Sequence, residues 1–109
     1  MRFGLVLLLL IGGLGGCQKP ERWDSTNPVH CMTVFGLVSA SAAAQSNHAV
    51  ANDLTARQTA VVRANGGLPW IEQIKPETQR LAADMQKADD DAALSRLLDD
   101  CAARNPPQR

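Results

Sequence analysis

The feature that most constrains this chain is its opening. Arg2 supplies a basic start, Phe3 to Ile11 form an apolar run interrupted only by Gly4, and Gly12 to Gly16 are small and flexible ahead of Cys17. This is the three-part layout of a secretory signal. A membrane span needs ~20 consecutive apolar residues. The stretch from Phe3 to Gly16 is shorter than that and carries five glycines. Residues 1–16 are therefore expected to be a removable signal, and the chain from Cys17 onward has to fold alone on the exported side. Only about 90 residues remain for that, enough for one small domain.

The last four residues of the opening, Leu14-Gly15-Gly16-Cys17, carry an aliphatic residue and two small ones before a cysteine. This resembles the lipobox of bacterial lipoproteins. The resemblance implies a diacylglycerol on the Cys17 thiol, cleavage just before that residue, and acylation of the new amino group. Two or three chains anchor a protein stably, where a single chain binds marginally at ~0.8 kcal/mol per buried methylene. Residue 18 is Gln and not Asp. By the same resemblance, this favours the outer membrane over the inner membrane, with the domain facing the periplasm. Residues 17–27, with Lys19, Pro20, Glu21, Arg22, Asp24, Ser25 and Thr26, show neither a helical nor a strand period and read as a lipidated tether. Within it, Trp23 is open to two readings, a ring resting at the headgroups or one packed on the domain.

With Cys17 assigned to lipid, Cys31 and Cys101 remain. Small exported domains bury too little surface to be safe without a staple, and the periplasm is oxidising, so a disulfide between them is expected. Chain entropy assigns roughly 4 kcal/mol to closing so long a loop.

Beyond the signal, sixteen alanines against three aromatic residues, Trp23, Phe35 and Trp70, favour helices over strands. Asn27-Pro28 is a cap followed by a proline at the first helical position. Cys31, Val34, Phe35, Val38 and Ala42 then recur at threes and fours as one stripe of an amphipathic helix. Gly36 inside it suggests a close helix crossing. A break near Ser46 is expected, since a single helix from Pro28 to Ala64 would be unusually long. The second helix carries Val50, Leu54, Arg57 or Gln58, and Val61, and Asn65-Gly66-Gly67 ends it. Pro69 opens a short turn, Lys75-Pro76 interrupts it, and Pro76 starts a third helix with Ile74, Leu81 and Met85 supplying its apolar side. Asp89-Asp90-Asp91 reads as a cap with charges at the positive end of the next helix. It lacks the spaced ligands, glycine and glutamate of a calcium loop. A fourth helix carries Leu94, Leu97, Leu98 and Cys101 and ends near Arg104, leaving residues 105–109 as a frayed tail.

These elements predict an all-α fold over residues 28–104, a small up-down bundle of about four helices with Cys31 in the first bonded to Cys101 in the last. In such a bundle the start of the first helix lies beside the end of the fourth.

Chemistry is sparse. His30 and His48 are the only histidines, and there is no metal-ligand spacing, nucleophile elbow or phosphate loop. The expectation is a protein that is not an enzyme, with no cofactor, no metal and no catalytic residues. Eleven basic and eleven acidic side chains give a net charge of zero, which offers no footprint for nucleic acid. Two functional classes remain: a binding or interaction module for another periplasmic protein, or a stress, chaperone-like or inhibitor protein. For the first, Leu68, Trp70 and Ile71 are the candidate contact, because tryptophan among aliphatic residues is a common anchor when exposed. The alternative is that Trp70 plugs the end of the bundle.

Overall fold

A computed structural model describes residues 22–107. Cys17 and the signal lie outside the described residues, as do the first part of the tether and the last two residues of the tail. Four helices, α1 (Pro28–Ala44), α2 (His48–Ala64), α3 (Leu68–Ala88) and α4 (Asp91–Arg104), make an all-α fold, and no strand occurs among the described residues. Cys31 and Cys101 form a disulfide with their Cα atoms 5.4 Å apart, joining the first turn of α1 to the last turn of α4. Both cysteines are buried.

The helix α1 is the hub. It contains no Asp, Glu, Lys or Arg, and its large apolar side chains, which have no charged face opposite them, need neighbours to cover them. It packs most extensively on α2 and also touches α3 and α4, whereas α2 and α3 meet briefly and α3 and α4 scarcely at all. Asn27 caps it as expected, its side chain accepting from the Val29 N–H at 2.9 Å. Val29, Cys31, Thr33, Val34 and Phe35 are buried, and the Thr33 hydroxyl satisfies itself by donating to the Val29 carbonyl at 2.7 Å. Gly36 does mark a close approach: a Cβ there would lie 2.9 Å from the Gln58 amide nitrogen. That nitrogen donates to the Met32 carbonyl at 3.1 Å and ties α2 to α1.

The break between α1 and α2 falls where the polarity rises. Ser46 adopts a left-handed φ of 60°, and Asn47 caps α2 through a long bond of 3.4 Å from the Val50 N–H. The buried stripe of α2 is Ala51, Leu54 and Val61. Val50, expected to face inward, is 40 % exposed. Leu54 and Val61 are buried as expected and only the first position of the stripe moves, from Val50 to Ala51, which lies three residues before Leu54 in the same three-four-three spacing that places Gln58 against α1. At the far end Gly66 and Gly67 take φ values of 122° and 76°, conformations that side chains resist. The chain reverses there into α3.

The third helix corrects the expectation drawn from Lys75-Pro76. It does not begin at Pro76 but at Leu68, and Pro76 lies inside it. Ile71, Ile74, Thr78, Leu81, Met85 and Ala88 are all buried or half-buried at alternating steps of three and four. The inward stripe therefore runs through the proline without a change of register. Glu72 and Pro76 are both exposed, so the carbonyl deprived of its N–H partner can be hydrated. An interior proline costs ~3 kcal/mol, and here a continuous packed face offsets it.

Asp89 ends α3 in a left-handed conformation, with φ 51° and ψ 44°. Asp90 caps α4 by accepting from the Ala93 N–H at 3.1 Å, and Asp91 sits in its first turn. The aspartate run is thus one terminator, one cap and one charge at the positive helix end. Leu97 and Cys101 of α4 are buried, with Leu94 and Leu98 packed beside them.

Candidate interaction surface

The residue that completes the core comes from outside the helices. Trp23 is 4 % exposed and belongs to the central cluster with Phe35, Met85 and Leu97. Its indole N–H donates to the Asp84 carboxylate of α3 at 3.1 Å. The ring lies beside Ala93, Arg96 and Leu97 of α4, and the Arg22 guanidinium stands 5.8 Å from its centroid. Of the two readings for Trp23, packing on the domain is the one found. The indole fills the seam between α3 and α4, two helices that hardly touch each other directly.

Local chemistry holds the segment that delivers it. The Asp24 N–H donates to His30 Nδ1 at 2.8 Å, while the Asp24 carboxylate accepts from both the amide and the hydroxyl of Thr26, at 2.9 and 2.7 Å. The Asn27 N–H donates to the Asp24 carbonyl at 3.0 Å. The Thr26 hydroxyl, then the Thr26 amide, hold the Asp24 carboxyl below its usual range, and His30 and Arg104 add to this through space. Residues 22–27 therefore form an ordered strap, where a free tether was expected.

Arg57 has a role that the hydrophobic pattern did not disclose. It pairs with Asp53 at 2.8 Å through Nε, and its Nη1 donates to the carbonyls of Ala102 and Asn105 at 2.6 and 3.1 Å. A cation at the end of α4 satisfies carbonyls that the helix cannot. Asn105 adds to this by donating to the Cys101 carbonyl through both its side chain and its backbone. A polar residue on the inward side of α2 was the available signal, since position 57 or 58 interrupts an otherwise apolar stripe.

The candidate contact residues separate into two groups. Leu68 is 76 % exposed. Trp70 is half-buried and packs against the core. Ile71, three residues from Leu68 on the same side of α3, is half-buried and lines a groove of about 320 Å³ with Met32, Gln58, Thr59 and Val62. A larger groove of about 440 Å³ opens between α1, α3 and α4 over Leu37, Val38, Leu94 and Leu98, with Asp91 its only charged member. The larger groove runs along α1 through Leu37, Val38 and Ser41, whereas the smaller one touches α1 only at Met32. Their size lies within or near the range of small-ligand sites, ~300–1,000 Å³.

Among the described residues no group of His, Cys, Asp or Glu could hold a metal ion, and no helix is long and apolar enough to cross a membrane. No protein-family model, curated protein or solved structure matches this chain.

Proposed function

We propose that the chain is a lipid-anchored protein of the bacterial cell envelope, held at the outer membrane through Cys17, whose periplasm-facing helical unit is a binding module for another envelope protein. The observation that carries this reading is the sequence Leu14-Gly15-Gly16-Cys17 placed directly after a short apolar run with a basic start. The Cys31–Cys101 disulfide supports it, because such bonds persist in oxidising compartments and are rare in the cytosol. The exposed Leu68, with Ile71 and its groove alongside, is the edge on which a partner would dock. An apolar side chain projecting beside a shallow apolar groove offers a knob and a hole together, the usual make-up of an anchoring contact.

Mass spectrometry of protein isolated from its native membrane tests the anchor. A first residue Cys17 bearing acyl chains is the expected result, and an intact Met1 terminus with an unmodified thiol refutes it. A photo-crosslinking residue at Leu68 should give a discrete adduct in the envelope, whereas the same residue at Arg63 on the exposed side of α2 should not. Equal labelling at both positions refutes the docking edge.

A further inference from the structure

The strap and the disulfide together imply a mechanical device. Residues 22–27 lie between the proposed lipid anchor and the helices, so any pull on the membrane side must pass through them first. The strap is fastened to the helices at separate points along its length, the last of them Asn27, which accepts from the Val29, His30 and Cys31 N–H groups at the start of α1. The Trp23 indole sits in the α3–α4 seam with one hydrogen bond to Asp84, and the Asp24 N–H is bonded to His30. A pull from the N-terminal side meets these in succession, Trp23 first and Asp24 next, so that each yields alone. The helices behind them are held differently. Load reaching Cys31 crosses to Cys101 through the disulfide, which spans a sequence separation of 70, and Arg57 secures the end of α4 to α2.

We infer that residues 22–27 are a tension-sensitive strap: a pull from the N-terminal side withdraws Trp23 from the α3–α4 seam while the disulfide-closed helices stay folded. Withdrawal empties the seam that the indole fills between Asp84 of α3 and Ala93, Arg96 and Leu97 of α4, leaving Met85 and Leu97 to hold those two helices together and exposing apolar surface there. Tension at the membrane would in this way be converted into a change on the surface of the helical unit. The inference rests on the anchor reading for the source of the pull, but its test does not.

The full chain is held in a magnetic tweezer by its N-terminal end and by an azide-bearing residue placed at Val50, an exposed position on α2. The oxidised protein should lengthen in two reversible steps. The first, of at most ~17 Å at ~3.3–3.6 Å per extended residue, releases Trp23 to Asn27, and the second, larger and at higher force, opens α1 and α2. Trp23→Ala should abolish the first step. Asp84→Ala, which leaves the ring in place, should lower its force and keep the second step unchanged. A single concerted step, or a first step unaltered in both variants, overturns the strap. The lipid state of Cys17 is read separately by mass spectrometry, so a two-step record from a chain whose native form carries no lipid would refute the anchor and leave the strap standing.

Discussion

The two halves of α1 are equally free of charge and yet are held in different ways. From Val29 to Phe35 large side chains are buried against the strap and the other three helices, with the disulfide closing that end. From Ala40 to Ala44 the helix is alanine and serine, mostly exposed, and it ends in the turn to α2. The first half is helical because it is packed. The second is helical because alanine loses almost no side-chain freedom in a helix and so needs little packing. An uncharged sequence is therefore not by itself a sign of burial; the size of the side chains decides which part becomes core.

The largest effect expected from this contrast is at Phe35. Phe35→Ala should destabilise the domain by ~3–5 kcal/mol, because a buried ring leaves a cavity that a helix bundle closes only in part. Ala43→Gly, at an exposed site in the other half, should cost about 1 kcal/mol, the propensity difference alone. Urea denaturation of the oxidised protein measures both, and similar losses at the two sites would abolish the distinction. Next comes the disulfide. Cys31→Ala combined with Cys101→Ala should cost ~4 kcal/mol by loop entropy, read as a fall in denaturation midpoint.

Smaller differences are expected at the caps. Asn27→Ala should cost ~1 kcal/mol. Asn47→Ala should cost less, since the Asn47 bond is 3.4 Å long against 2.9 Å for Asn27. Thermal unfolding of the two variants ranks them, and a larger loss at Asn47 would contradict the geometry. Asp24 gives a pH signature at the strap end. Its carboxyl is held below the usual range, first by the Thr26 hydroxyl, so its ionised form stabilises the folded state. That contribution is complete above the ordinary carboxylate value of ~4 and is lost as pH falls through the lowered one. The stability gap between the natural protein and Asp24→Asn should therefore narrow in acid, and a gap independent of pH would remove the assignment. The smallest effect is expected for Gly36→Ala. The gain in helix propensity, about 1 kcal/mol, is offset by the displaced Gln58 amide and its bond to Met32.

Much of the architecture was legible because its punctuation is local. Asn27-Pro28, Asn65-Gly66-Gly67 and the aspartate cap each act through the backbone of a few neighbouring residues, and the pairing of Cys31 with Cys101 follows from compartment and topology. Pro76 misled because a strong local signal opposed a periodic one, and the stripe from Ile71 to Ala88, summed over several turns, prevailed. Val50 misled only at the start of the α2 stripe, because a step of three or of four before Leu54 fits a helix equally well and the larger apolar side chain stands at the outward one. The burial of Trp23 has no periodic trace at all. The available hint was scarcity, since a small core with three aromatic residues rarely leaves one outside. The exposure of Leu68 is equally invisible in a run as rich in large apolar residues as Leu68 to Ile74.

The central structural claim is that stability is concentrated where the disulfide and the large side chains of α1 and α4 converge. Residue-resolved amide hydrogen exchange on the oxidised protein tests it most directly. Slowest exchange at Cys31 to Val38 and around Leu97 to Cys101, with protection falling steadily toward Ala44 and the start of α2, is the predicted result. Uniform protection along α1, or the slowest amides in its alanine half, would contradict it.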